Sequence, residues 1–400
     1  MKYSWYLLFW LSVFTVACSE DIKLPESANF IKLYGGEKPD YGVAVEQLDD
    51  GGYIYVGSSL SYPEGGKGKD ICLVKTDRYG DRKWIKYFGG EGNDQAKSVK
   101  TTPDGGFLIL GDWGEAAAAS GETDYYLIKT DADGEIIWSK NYGLPARNEQ
   151  AKSMNTTVDG GIIIAGNIIH NEESSEVYLI KANEEGETVW EITFGLLNLP
   201  NEVGKSIIPL HDGSFILCGT EKGRKPASSE DADVRIIKIS AEGAILWSYA
   251  YGGPTSQTGV EIQAFPGGFI TVGTISTTGD HTDIFLLNID YSGNMVWSKT
   301  LGGNHNETGV SVCPANDGGF IICGTTESYG QGGKDIYLLK VDKEGNELWS
   351  KTFGGSEDDE GNKIIQVQDG GWVIAGTIGF DKTNTMMGLL KTDAQGQLSR

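Results

Sequence analysis

From residue 30 onward the apolar residues fall in short runs of strand length, each closed by a turn built on Gly, Asp, Asn or Ser. Residues 309–354 show the pattern clearly. Four runs, 309–313, 320–325, 335–341 and 347–353, are separated by Asp317-Gly318-Gly319, by a polar loop, and by Asp342-Lys343-Glu344-Gly345. We label the runs A to D. In the A–B turn glycine takes a positive φ at no steric cost, and in the C–D turn the Asp side chain can bond the turn backbone.

The unit repeats. The first glycine of the A–B turn recurs at Gly51, Gly105, Gly160, Gly213, Gly267, Gly318 and Gly370, always 51 to 55 residues apart. The D-x-x-G of the C–D turn recurs at Asp77/Gly80, Asp131/Gly134, Asp290/Gly293 and Asp393/Gly396. A period near 50 with four strands per unit predicts propeller blades, since one small sheet cannot bury both its faces and must stack on neighbours. Run D carries a tryptophan five residues before a glycine in six units, at Trp84, Trp138, Trp190, Trp247, Trp297 and Trp349. The seventh unit stops after its C–D turn. Its missing run lies at the other end of the sequence, where Phe30-Ile31-Lys32-Leu33-Tyr34-Gly35-Gly36 aligns with 349–355 and puts Phe30 in the tryptophan's place. The expectation is an all-β, seven-bladed β-propeller over residues 30–400, its four-stranded antiparallel blades closed into a ring by the N-terminal strand, which leaves no free edge.

The D-x-x-G-x-x-x-W-x-x-x-x-G pattern resembles the tryptophan-docking repeats of quinoprotein-like propellers over residues 30–400. The resemblance implies that Phe30 and the six tryptophans are structural, each ring packing on the neighbouring blade. Quinoprotein dehydrogenases hold their cofactor with a disulfide between adjacent cysteines, and this chain has no adjacent cysteines and seven units instead of eight. The resemblance therefore bears on fold and speaks against that activity. A propeller lipoprotein of the outer-membrane barrel assembly machinery is similar in the same way and implies a scaffold role.

Before residue 30 the composition changes. Residues 1–17 have one early Lys and an apolar run too short for a bilayer-crossing helix, the mark of a signal peptide. Thr15-Val16-Ala17-Cys18 resembles a bacterial lipobox, with Thr15 where Leu is usual, and implies lipid on Cys18. Residues 18–29 read as an acidic tether, and Ser19-Glu20-Asp21 is similar to the tag of surface-exposed outer-membrane lipoproteins. The expected setting is the cell envelope, with the membrane touched only through the anchor. A net charge of −23 excludes nucleic acid as a partner on electrostatic grounds.

Catalytic motifs are absent from the sequence: no G-x-S-x-G, no H-E-x-x-H, no phosphate-cradling loop. His170, His211, His281 and His305 stand in different units, without metal-ligand spacing. Cys72, Cys218, Cys313 and Cys323 fall within predicted strands and read as buried free thiols, with a Cys313–Cys323 bridge as the alternative. Two features could serve a ligand. An acidic residue follows each D-strand glycine, at Asp40, Asp94, Glu149, Glu202, Glu307 and Asp359, with Gln257 in the exceptional unit. Such a ring reads either as a repeated backbone tie at each blade junction or as a cation site, calcium included, at the channel mouth. The B–C connections (58–69, 112–123, 167–175, 220–232, 274–282, 325–334 and 377–385) differ in every unit while the turns on the other face are uniform. That assigns recognition to the loop face, with Trp113, Tyr62, Tyr329 and Phe380 as candidate contacts. The expectation is a monomeric, non-enzymatic platform for protein or carbohydrate, with no required cofactor; a lectin-like glycan binder and a glycan lyase or hydrolase are the rival readings.

Overall fold

The structure is a computed structural model and describes residues 29–398, except 63–67, 115–122, 146, 172–173, 196–200, 223–231 and 278–280; of Asn171, Asn201 and Glu202 only the backbone is described. The signal peptide, Cys18 and the tether up to residue 28 lie outside the described residues. Twenty-eight strands, β1 to β28 in chain order, form seven blades of four antiparallel strands around a central channel. In the sixth blade β22 (Glu307–Pro314) is innermost, followed outward by β23 (Phe320–Thr326), β24 (Asp335–Val341) and β25 (Glu347–Phe353). The seventh blade runs β26 (Glu360–Gln366), β27 (Trp372–Asp381), β28 (Asn384–Thr392) and then β1 (Phe30–Tyr34). Phe30 pairs with Lys391 as Trp349 pairs with Lys340, so the N-terminal strand completes the last blade in the expected register.

Burial follows position in the blade. Strands B and C are buried at nearly every residue because adjacent blades cover both their faces, whereas strand D alternates between exposed and half-buried residues at the rim. The aromatic rings of strand D reach the next blade. A Cβ added at Gly134 or Gly345 would lie about 2.9 Å from Trp84 or 2.8 Å from Trp297, so each indole covers the C–D turn of the following blade, where glycine also holds φ near +80°. Phe30 covers Gly80 in the same way and meets Tyr53 edge-on at 6.0 Å. In the fourth blade Trp247 stacks on Tyr249 at 5.3 Å, and Tyr249 is the ring that reaches the next turn, at Gly293.

Every innermost strand carries a β-bulge, one residue before its midpoint serine or equivalent. The bulged residues are Val43, Lys97, Lys152, Lys205, Val260, Val310 and Asn362. Strand B explains the bulge. It has glycine opposite at Gly57, Gly111, Gly166, Gly219, Gly273, Gly324 and Gly376, and at Gly324 a Cβ would fall 1.8 Å from the Thr308 carbonyl oxygen. Only glycine permits that approach. The bulge also removes a backbone N–H from its ladder, and the preceding blade supplies the acceptor: Ser58 Oγ for Ala96 at 3.0 Å, Asp112 Oδ1 for Ala151 at 2.7 Å and Asn167 Oδ1 for Gly204 at 2.7 Å.

All four cysteines of the ring are free, Cys72, Cys218 and Cys323 buried and Cys313 partly so. Register places Ser311 opposite Cys323 and Ile321 opposite Cys313, so the two thiols are not cross-strand partners.

Candidate functional site

The innermost strands of all seven blades line a central channel of about 770 Å³. A second cavity of about 510 Å³ shares Val260, Val310, Glu360 and Asn362 with it and continues toward the loop face past Thr282, Asn306 and Lys334. The bulge determines which side chains enter, since it turns one residue per blade out of the ladder and into the channel. Three consecutive blades contribute Lys97, Lys152 and Lys205 there, and the facing wall carries Val260, Val310 and Val43 with Asn362. A sequence signal marks these lysines: each stands three residues after the acid that opens its strand, in DQAK, EQAK and EVGK.

Ion pairs account for most other charges in the channel. Lys97 meets Asp112 at 3.0 Å, Lys100 meets Glu46, and Lys363 meets Glu261 from a strand two blades away. Glu261 stands where four other blades have serine and, like Ser311 toward Ile364, accepts a backbone N–H of the next blade, that of Val312. Lys363 keeps its proton more firmly than an ordinary lysine because the Glu261 charge outweighs burial.

The acids that open strand A lie in the blade junctions. Asp40, Asp94, Glu149, Glu307 and Asp359 are fully buried, and none lines the channel. Each accepts a backbone N–H from the segment leading into its own strand, as Asp94 Oδ2 does from Gly90 at 2.8 Å and Asp359 Oδ2 from Gly355 at 2.7 Å; Glu307 Oε2 accepts from Gly303 at 2.6 Å, Asp40 Oδ2 from Gly36 at 2.8 Å, and Glu149 Oε1 from Leu144 at 3.3 Å. The Glu202 side chain lies outside the described residues. A second carboxylate, at the start of strand C, faces several of these acids. Asp335 stands with Asp359, Asp283 with Glu307 and Asp124 with Glu149, around the D-strand glycine. Burial first, and then the neighbouring carboxylate, raises Asp359 and Asp283 above the ordinary range and Glu149 to about 7. Among the described residues no three His, Cys, Asp or Glu side chains form a metal-ligand set.

The candidate loop-face aromatics are not gathered into one platform. Trp113 belongs to β7 (Phe107–Gly114) and not to a loop; it is half-buried against Tyr126, with ring centroids 4.8 Å apart, and lies over Gly90. The strand extends this far because Trp113 still pairs with Asp124. Tyr62 packs on Tyr87 and Tyr329 stacks on Tyr337, each keeping one side exposed. Phe380, 65% exposed on β27, is the most open of the four. His170 contacts Arg147 and Glu176 at the end of a strand, and no histidine lines the channel.

Fold and channel together define a seven-bladed β-propeller. No protein-family model matches the chain, and the search of curated sequences finds no similar protein. Solved structures are similar in fold. A puromycin hydrolase mutant complexed with PGG aligns at 12% identity and TM-score 0.55, over 89% of this chain and 52% of its own. Sqt1 from Chaetomium thermophilum aligns at 10% identity and TM-score 0.50, over 91% of this chain and 100% of its own. A protein of unknown function from Bacteroides caccae aligns at 15% identity and TM-score 0.44, over 79% and 94%. For the puromycin hydrolase and Sqt1 the likeness, at these identities, is one of fold alone.

Proposed function

We propose that this chain is a cell-envelope lipoprotein of the tryptophan-docking propeller type, whose ring is a non-catalytic binding platform presenting its loop face and channel mouth to a carbohydrate or protein. The observation that carries the reading is the channel, lined from all seven blades and continuous with a cavity on the side of the individually built loops. The docking of five indoles, Tyr249 and Phe30 on neighbouring blades supports the repeat type. The N-terminal sequence supports the anchor.

The test uses the full chain in detergent on an array of neutral and acidic glycans and in crosslinking to envelope proteins, beside a Phe380→Ala, Tyr62→Ala variant with an unchanged melt. The expected result is a retained ligand whose binding weakens about tenfold in the variant, as loss of exposed aromatic contact area entails. Equal binding by both proteins would remove the loop face from the reading.

A further inference from the structure

The bulge samples one position seven times on one scaffold, and the scaffold does not ask for charge there. Val43, Val260 and Val310 fill it without altering strand pairing, while Lys97, Lys152 and Lys205 fill it in three consecutive blades. Half-buried ammonium groups beside one another cost stability unless acids or an anion offset them. The acids nearby are otherwise engaged. Asp112 is shared between Lys97 and the Ala151 N–H, Glu46 holds Lys100 and the Thr101 N–H, Glu261 holds Lys363 and the Val312 N–H, and Glu360 lies 3.9 Å from Lys334. Lys69, also in the channel, sits over the Tyr41 ring at 4.4 Å. Among the described residues Lys152 hydrogen-bonds the Gln150 amide oxygen, at 3.2 Å, and forms no ion pair.

We propose that the channel binds a small organic dianion, its acidic groups held by Lys152 and Lys205 with Lys97 beside them, and its carbon skeleton against Val43, Val260 and Val310. Asp112 offsets one of the three ammonium charges, and two remain for the ligand. Repulsion within the cluster agrees with this: burial first, then Lys97 and Lys205, push Lys152 down to about 8, and burial and Lys97 lower Lys205 and Lys69. The volume of about 770 Å³ falls in the range of small-molecule sites, roughly 300–1,000 Å³. In a chain of net charge −23, this wall is where an anion is drawn in.

The inference rests on the platform reading and deepens it, and the two fail separately: the glycan and crosslinking test leaves the lysines intact, and the test here leaves Phe380 and Tyr62 intact. Sodium sulfate and sodium phthalate are titrated into the full chain at constant ionic strength set with sodium chloride, followed by calorimetry and thermal melts. Both anions are expected to raise the midpoint above the chloride control, phthalate binding more tightly because its ring meets the valine wall. A Lys152→Val, Lys205→Val variant copies the residues that other blades carry at this bulge. It is expected to melt above the parent without added anion, since repulsion is relieved, and to lose at least about tenfold in phthalate affinity. A parent midpoint that follows ionic strength alone overturns the proposal, as does a double variant that binds phthalate like the parent. Equal affinity for sulfate and phthalate overturns the two-walled site. Should the double variant not fold, Lys205→Val alone is read by the same titration.

Discussion

Glu149 shows how a repeated residue can be both structural and costly. One carboxylate oxygen accepts the Leu144 N–H, the other is buried without a hydrogen-bond partner among the described residues, and Asp124 stands opposite. With a folded pKa of about 7 against an ordinary value near 4.5, the folded state binds more protons than the unfolded one between those limits, so stability falls as pH rises through this window. The fifth blade holds Gln257 at the same place, opposite Asp233, and its amide oxygen accepts the Gly253 N–H at 2.9 Å. Glu149→Gln is therefore expected to raise the thermal midpoint at pH 8 and to have a shrinking effect as pH drops toward 4.5, followed by melts across that range. An effect independent of pH would assign the gain to packing. A similar exchange links the A–B turn to strand C. Lys129, Lys181, Lys238, Lys340 and Lys391 pair with the turn carboxylates of Asp104, Asp159, Asp212, Asp317 and Asp369, and the one unit with Pro266 in that turn has Asn288 in the lysine's place.

Among the elements, β1 is the most informative because it is short and closes the ring. Its hold on the molecule combines the ladder to β28, the Phe30 ring on Gly80 and the Tyr34 hydroxyl donating to the Gly80 carbonyl at 2.6 Å. Phe30→Ala should cost about 2 kcal/mol, as expected for a partly buried aromatic ring, and should shift the urea midpoint without changing the far-ultraviolet spectrum of the folded state. An unchanged midpoint would mean that the ladder alone closes the blade. This element was legible in advance because glycine and tryptophan spacing is local and repeats. The bulges were not: they arise from contact between the glycine of strand B and the backbone of strand A, which no single unit shows in its sequence. The sequence alone puts Trp113 in a loop for a related reason, since the end of a strand depends on its partner, here Asp124. The buried carboxylates of strand C, such as Asp283 and Asp335, open apolar runs, and the sequence of one unit does not show that each faces an acid of the next blade.

At the scale of the whole molecule, seven near-equivalent blades divide the labour between repetition and exception. The repeated residues, turn glycines and docking rings build the cylinder, and the positions that differ from blade to blade line its channel and its loop face. Exceptions also find each other across the ring, as Glu261 of the fifth blade and Lys363 of the seventh do. The acidic exterior and the lysine wall are two sides of one charge distribution, and salt should weaken the wall's attraction for anions from solution more than its grip on one already inside.

The closing strand has a topological consequence. Asn29 donates to the Gln397 carbonyl oxygen at 3.0 Å, so the two ends of the ring touch. A circular permutant that joins residues 29 and 397 through a short glycine linker and opens between Asp317 and Gly318, where a Cβ would meet nothing within 4 Å, keeps every strand pairing of the parent. The A–B turn of the sixth blade thus offers a seam in a different blade from the C–D turn at which residues 29 and 397 meet.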